Sequence, residues 1–302
     1  MTKARSGNIP VLCVRGGTLP EAWEKAILAV WDQGVSIRTE YDRKDAAGRF
    51  LDPPSKDCTM VIEVDDPFAE PRIHKNFPGG PEELEVYRQE VVAGIHDHWV
   101  DPSDPDKWTY TYHQRLVAYR AVENLEDPGS AQLSVVDQLA EVVEKAARTP
   151  HSRRLQAITW IPNADPKTED PPCLQRLWFR LLADDQEDFL LNMNAHWRSR
   201  DAYKAWFMNA YALTDLGRVM AEGIEKKVGR PVRLGRYVDV SDSFHIYGSY
   251  FAEVEPEVAK MKAEPDYQTR AWRSDHAVLV AMTEETRAKL RQNPDYMHAR
   301  NR

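Results

Sequence analysis

Apolar residues recur along this chain at two periods, and the two periods separate helices from strands. Residues 20–33 carry Trp23, Ile27, Val30 and Trp31 at helical spacing, with Gly34 placed to stop the helix. Residues 83–94 align Leu84, Tyr87 and Val91 on one helical face. Residues 134–148 align Val135, Val136, Leu139, Val142 and Val143, with Ser134 as the expected N-cap and Asp137 three residues on. A long helical stretch runs from Asp201 to about Val228 and is closed by Gly229 and Pro231. Short apolar runs predict strands at 59–64, 155–161, 174–182, 189–196, 232–240 and 277–282, and a last helix begins at Thr283. Residues 35–58, polar around Arg38, Arg43 and Arg49, read as a solvated loop, and 65–81 as an irregular connection. No internal repeat, low-complexity linker or domain boundary interrupts the pattern. The expectation is one α+β domain over residues 1–302.

Composition changes this picture little, except in what it excludes. A chain of 302 residues can bury a large core, and a net charge of −8 argues against a broad basic face for nucleic acid. No stretch has the length and apolarity of a membrane span or a secretory leader, so a soluble, cytoplasmic protein is expected. Cys13, Cys58 and Cys173 are an odd number without metal-type spacing, which fits free thiols in a reducing compartment rather than a disulfide framework. His96 and His98 stand two residues apart and do not face one another on a helix. No metal site is expected.

Candidate chemistry gathers in residues 171–209. Cys173 follows two prolines and opens an apolar strand; Arg198, Ser199 and Asp201 follow the next strand, and Asn209 lies eight residues beyond Asp201. A nucleophile, a cation, a carboxylate and an amide thus sit on two strands and the helix after them. Upstream, Arg153 and Arg154 adjoin a strand entrance, and paired guanidinium forks suit a phosphate.

In this order and spacing, Ser152-Arg153-Arg154, Pro172-Cys173, Arg198-Ser199-x-Asp201, Asn209 and His245-Ile246-Tyr247 resemble the thymidylate synthase family, which includes the pyrimidine-nucleotide hydroxymethylases. Weaker matches are Arg38-Thr39, the run from Glu83 to Tyr87, and Tyr112. The similarity covers about residues 35–250. It implies an α+β fold with a large mixed sheet and flanking helices, and a homodimer whose sheets pack back to back.

The resemblance also implies roles. Cys173 would add to C6 of a pyrimidine nucleoside monophosphate, so that C5 attacks the one-carbon unit of 5,10-methylenetetrahydrofolate. Arg198, a cation, would favour the Cys173 thiolate. Arg38, Arg198 and Ser199 would hold the phosphate, with Arg153 and Arg154 reaching the partner's. His245 and Tyr247 would hold the sugar 3′-hydroxyl, and Asn209 would read the base. Asp201, Trp108 and Trp160 would face the folate. Glu83, with Glu82 and Glu85 beside it, would be the general acid/base, and Tyr112 would serve the C5 proton step.

Four features depart from the common pattern. Leu174 stands where a histidine is usual, Trp197 replaces a glutamine, and Ala205 replaces a glycine. The segment from Met297 to Arg302 lacks the apolar tail that closes the usual site. Methylation of dUMP to dTMP is the leading expectation. Hydroxymethylation of dUMP, dCMP or CMP is the alternative, which the run from Glu83 to Tyr87 also favours. A nucleotide-binding relic without turnover is the third.

Overall fold

Alternating apolar positions build a mixed sheet in the computed structural model of the chain, which describes residues 7–104, 106–122 and 133–296. The segment from Met297 onward, for which the sequence suggests a missing closing tail, lies outside the described residues. The strands are β1 (Val11–Gly16), β2 (Val35–Ile37), β3 (Ser55–Val64), β4 (Ile73–His74), β5 (Tyr119–Val122), β6 (Leu133–Val136), β7 (Leu155–Ile158), β8 (Leu174–Ala183), β9 (Phe189–Trp197), β10 (Arg200–Asp201), β11 (Val232–Ile246) and β12 (Ala271–Trp272). The helices are α1 (Leu19–Gln33), α2 (Gly80–Ala93), α3 (Tyr112–Val117), α4 (Gln138–Arg148), α5 (Trp206–Val228), α6 (Phe251–Ala263) and α7 (Ala277–Gln292). The main sheet has eight strands, in the order β1-β3-β11-β9-β8-β7, with β2 beside β3 and β10 beside β11. Among the described residues, no helix is long and apolar enough to cross a membrane.

The chain divides into two compact units. The first comprises Met1–Gly80, His196–Tyr211 and Arg236–Ala281. In it β1 runs parallel to β3, and β3 runs antiparallel to β11, with a bulge in β11 between Ser241 and Phe244. Such an irregularity re-aims the side chains that follow it, here His245 and Tyr247. Helix α1 begins where the Thr18 hydroxyl accepts the Glu21 N–H, and it buries Trp23, Ala26, Ile27 and Val30. It packs on β1 and β3. That crossing needs Gly16, because a Cβ there would lie 2.5 Å from the Ala22 nitrogen. A buried ion cluster fastens the far side: Arg270 gives two hydrogen bonds of 2.8 Å to Glu24, whose carboxylate also meets His74 Nε2 at 2.8 Å.

The second unit comprises Pro81–Ala195, Ala212–Gly235 and Met282–Arg302. Its strands β7 and β8 pair antiparallel, from Leu155 opposite Phe179 to Ile158 opposite Arg176. Leu177, Phe179 and Leu181 on β8, with Leu191, Met193 and Ala195 on β9, bury alternate side chains as period two requires. Helix α4 covers β7. Gln138 ties the two by giving 2.8 Å to the Ile158 carbonyl and accepting 2.9 Å from the Ile158 N–H.

Several expectations about elements are corrected. The long helix begins at Trp206 rather than Asp201, which lies on β10, and the stretch 35–58 holds β2 and the start of β3. Residues 277–282 form the start of α7, because a short apolar run carries no period of its own and here continues into the helical pattern from Thr283. Asp137, not Ser134, caps α4 by accepting the Ala140 N–H at 2.9 Å, and Leu133–Val136 pairs with β5 as a strand. Helix α6 was hidden by Pro256, which it carries internally, and β1 and α3 also escaped the sequence pattern.

Candidate active site

In the second unit, Cys173 is a partly exposed thiol, not engaged in a disulfide, immediately before β8. Its backbone position is fixed on both sides. The Gln175 amide donates to the Pro172 carbonyl at 2.8 Å, and the Thr159 hydroxyl donates to the Leu174 carbonyl. The Leu174 N–H donates to the Tyr112 hydroxyl at 3.4 Å, which puts the tyrosine expected to serve the proton step next to the start of β8. Tyr112 opens α3, whose N-cap Thr111 accepts the Gln114 N–H at 3.0 Å. Two turns of structure behind it are locked by Arg115, which grips Asp165 at 2.8 and 3.1 Å and the Thr159 carbonyl at 2.9 Å.

Tyr110 was not singled out by sequence, although the alternation Tyr110-Thr111-Tyr112 was a signal. Its ring centroid lies 5.7 Å from that of Tyr112. Burial, and then the negative charge that Tyr112 and Cys173 would carry when ionised, push the Tyr110 hydroxyl well above its ordinary range. It is therefore a proton-bearing donor at any working pH. Trp108, Tyr110 and Tyr112 wall a cavity of about 420 Å³ whose rim includes Glu90, Glu169 and Asp170. Trp160 lies on the loop after β7, where its carbonyl accepts the Tyr119 hydroxyl at 2.8 Å.

The three glutamates of α2 separate clearly. Burial pushes the Glu85 carboxyl up, but bonds from Arg88 and Arg287 outweigh it and hold the group ionised. Glu82 pairs with Lys289 and accepts from Tyr296. Glu83, partly buried and beside Glu82, makes no ion pair among the described residues, and burial raises its pKa. Of the three, it has the environment of a proton-transfer group. Arg153 and Arg154 are exposed and line a second cavity, of about 300 Å³, with Lys145, His151 and Ser152.

The first unit carries the remaining candidates. Arg38 donates to Asp42 at 3.1 Å and to the Asp52 carbonyl at 2.7 Å, and it covers the Phe50 ring at 4.0 Å. The neighbouring arginines are likewise paired, Arg43 with Asp52 and Arg49 with Asp45. Arg198 and Ser199, half-buried, connect β9 to β10. β10 runs parallel to β11 and sets Asp201 opposite His245. The Asp201 carboxylate accepts the N–H groups of Tyr203 and Lys204 at 2.9 Å each, while burial raises its pKa.

His245 and Tyr247 come together with ring centroids 4.5 Å apart. The turn after them is tight: a Cβ at Gly248 would lie 1.8 Å from the Pro53 carbonyl oxygen. Burial lowers the His245 pKa to about 4, so the imidazole is neutral at physiological pH. Behind it, Ser243 Oγ lies 3.3 Å from His245 Nδ1 and donates to Asp57 at 2.6 Å. Burial pushes the Asp57 carboxyl up to about 6, and its Oδ1 and His245 Nε2 are buried without a hydrogen-bond partner among the described residues. Sequence gave no signal for Asp57, which reaches this place only through its register opposite His245.

Asn209, in the first turn of α5 and nearly buried, faces a residue that sequence reading also passed over. Arg200 donates to Asn209 Oδ1 at 2.7 Å and to Asp239 at 2.8 Å, with its guanidinium 3.4 Å above the Trp197 ring. Trp197, one of the departures noted above, is thus the floor on which Arg200 lies. Among the described residues, no group of three His, Cys, Asp or Glu side chains could hold a metal ion.

Residues 81–286 match the family model described as thymidylate synthase. A Methanosarcina mazei protein named "Putative thymidylate synthase" is 28% identical over 242 residues, covering 80% of this chain and 92% of its own. The protein of that name from Methanothermobacter thermautotrophicus is 32% identical over 251 residues, covering 78% and 94%. The one from Methanocaldococcus jannaschii is 26% identical over 242 residues, covering 78% and 91%.

Proposed function

We infer that this chain, which belongs to the thymidylate synthase family, transfers a one-carbon unit to C5 of a pyrimidine nucleoside monophosphate, with methylation of dUMP to dTMP as its leading reaction. The observation that carries this reading is the partly exposed Cys173 thiol, in no disulfide, immediately before β8, with Tyr112 hydrogen-bonded to the next residue. Addition of the Cys173 sulfur to C6 breaks the C5–C6 double bond and leaves C5 electron-rich. Once C5 has bonded the one-carbon unit, loss of the C5 proton breaks that unit's bond to the folate nitrogen and leaves an exocyclic methylene; hydride from the folate adds to it as the sulfur departs from C6, which restores the C5–C6 double bond. Tyr112 serves that proton. Glu83, its pKa raised by burial, relays protons at O4.

Binding roles follow the resemblance. Arg38, Arg198 and Ser199 hold phosphate, neutral His245 and Tyr247 hold the sugar hydroxyl, and Asn209 reads the base. 5,10-Methylenetetrahydrofolate supplies the one-carbon unit and, for a methyl product, a hydride. The flat walls of the Trp108–Tyr110–Tyr112 cavity fit an aromatic ring of that size class. By the same resemblance, Asp201 and Trp160 have folate-binding roles. In this reading the enzyme is a cytoplasmic homodimer, and the exposed pair Arg153 and Arg154 meets the partner's substrate phosphate.

The test is to incubate the protein with dUMP, UMP, dCMP or CMP and methylenetetrahydrofolate. Dihydrofolate with a methylated nucleotide supports the leading reaction. Tetrahydrofolate with a hydroxymethylated nucleotide assigns the alternative. Binding without either product identifies a nucleotide-binding relic.

A further inference from the structure

An asparagine that reads a pyrimidine is ambiguous, because its amide can turn over. With oxygen toward N3–H and nitrogen toward O4, it matches uracil; with the two exchanged, it matches cytosine. In this protein one edge of the amide is already committed. A guanidinium only donates, so the group facing Arg200 Nη1 at 2.7 Å is the carbonyl oxygen Oδ1 of Asn209. The amino group lies on the other side.

Arg200 cannot easily move to accommodate the opposite orientation. Its second nitrogen bonds Asp239 at 2.8 Å, and its face rests on Trp197 at 3.4 Å. Asp239 is itself fixed by the Tyr237 hydroxyl at 2.8 Å and the Ser241 hydroxyl at 2.9 Å. Arg200 and Asp239 are buried, where losing a hydrogen bond costs more than at the surface. Turning the amide over would set N–H against N–H.

We propose that Arg200 is a specificity-determining residue that acts through Asn209: it holds the amide in one orientation, so that the protein distinguishes uracil from cytosine nucleotides. Arg200 touches no substrate in this account; it is a positioning residue. The proposal rests on the reading of Asn209 as the base-recognition residue. A charge-assisted hydrogen bond in a buried place sets the expected discrimination at about ten- to a hundredfold.

The experiment measures the dissociation constants of dUMP and dCMP, by calorimetry, for the full-length protein and for Arg200→Met. The wild type is expected to prefer one base by at least about tenfold, uracil under the function proposed above. Arg200→Met is expected to bring the two constants to within a few-fold of each other. A purely structural defect would weaken both nucleotides alike and leave their ratio unchanged, and that result overturns the proposal. Arg200→Met strands the Asp239 carboxylate, so Arg200→Met/Asp239→Asn is measured beside it as the variant that removes the stranded charge. A wild-type ratio near one overturns the proposal without any variant. A wild-type preference for cytosine that Arg200→Met abolishes supports the lock and overturns the uracil assignment instead. Binding of neither nucleotide by the wild type removes the functional reading and, with it, the role given to Arg200.

Discussion

Replacing Asp57 by Asn should stabilise this protein, and by an amount that depends on pH. Asp57 is buried on β3 and accepts a hydrogen bond from Ser243, and its other oxygen has no partner among the described residues. Burial pushes its pKa to about 6, from an ordinary 3.8. An ionised Asp57 therefore costs the folded protein about 3 kcal/mol. The penalty is present in full above pH 6. As pH falls through 6, the folded state takes up its proton before the unfolded chain does, and the penalty fades towards pH 4. Asn has the shape of the protonated acid and still accepts from Ser243. The expected gain is about 3 kcal/mol at pH 8, about 1.5 kcal/mol at pH 5 and under about 1 kcal/mol at pH 4.

Urea unfolding of both proteins at those three pH values measures it. His245 is present in both and cancels from the difference. A gain that stays constant with pH, or a loss at pH 8, would refute the reasoning. That a buried carboxylate is retained at such a cost beside His245 is what a binding site, rather than a packing site, looks like.

Other expectations follow from the same geometry. Arg270→Met strands Glu24 among buried neighbours and should cost about 3–5 kcal/mol in thermal or urea unfolding, whereas a surface pair such as Arg273 with Asp275 should cost under about 1 kcal/mol when broken. His245, whose folded pKa of about 4 lies below its ordinary 6.5, contributes stability that is complete above pH 6.5 and lost as pH falls towards 4; His245→Gln should remove that acid-side slope in unfolding experiments. Asn209→Asp exchanges an amide for an acceptor that suits the cytosine amino group, and it keeps the Arg200 bond. Its preference between dUMP and dCMP should move towards cytosine by at least about tenfold in dissociation constant.

The fold class and most of the main elements were legible in the sequence. Helices with a strong period, such as α1 and α5, and strands β8 and β9 were legible because one face of each is buried and the pattern is local. Helix α6 was not, because Pro256 masks it, and α7 was misread at its start because six apolar residues carry no period. Motifs at fixed spacing pointed to Tyr112, His245 and Tyr247; in the structure Tyr112 bonds the Leu174 N–H, and His245 and Tyr247 lie ring to ring. Asp57 was illegible because only strand register brings it to His245. Arg200 was hidden in plain view: the motif reads Arg-Ser-x-Asp, and the variable position turns out to hold Asn209. Trp197, which sequence could register only as a departure, gains its physical reason from the guanidinium stacked on it.

The central claim is that Cys173 adds covalently to C6 and activates C5. The most direct measurement is tritium release from dUMP labelled at C5, with methylenetetrahydrofolate present, by the wild type and by Cys173→Ala. The account predicts release by the wild type and none by Cys173→Ala, which should still bind the nucleotide. Release that survives loss of the thiol, or a wild type that binds dUMP and releases no tritium, would contradict it.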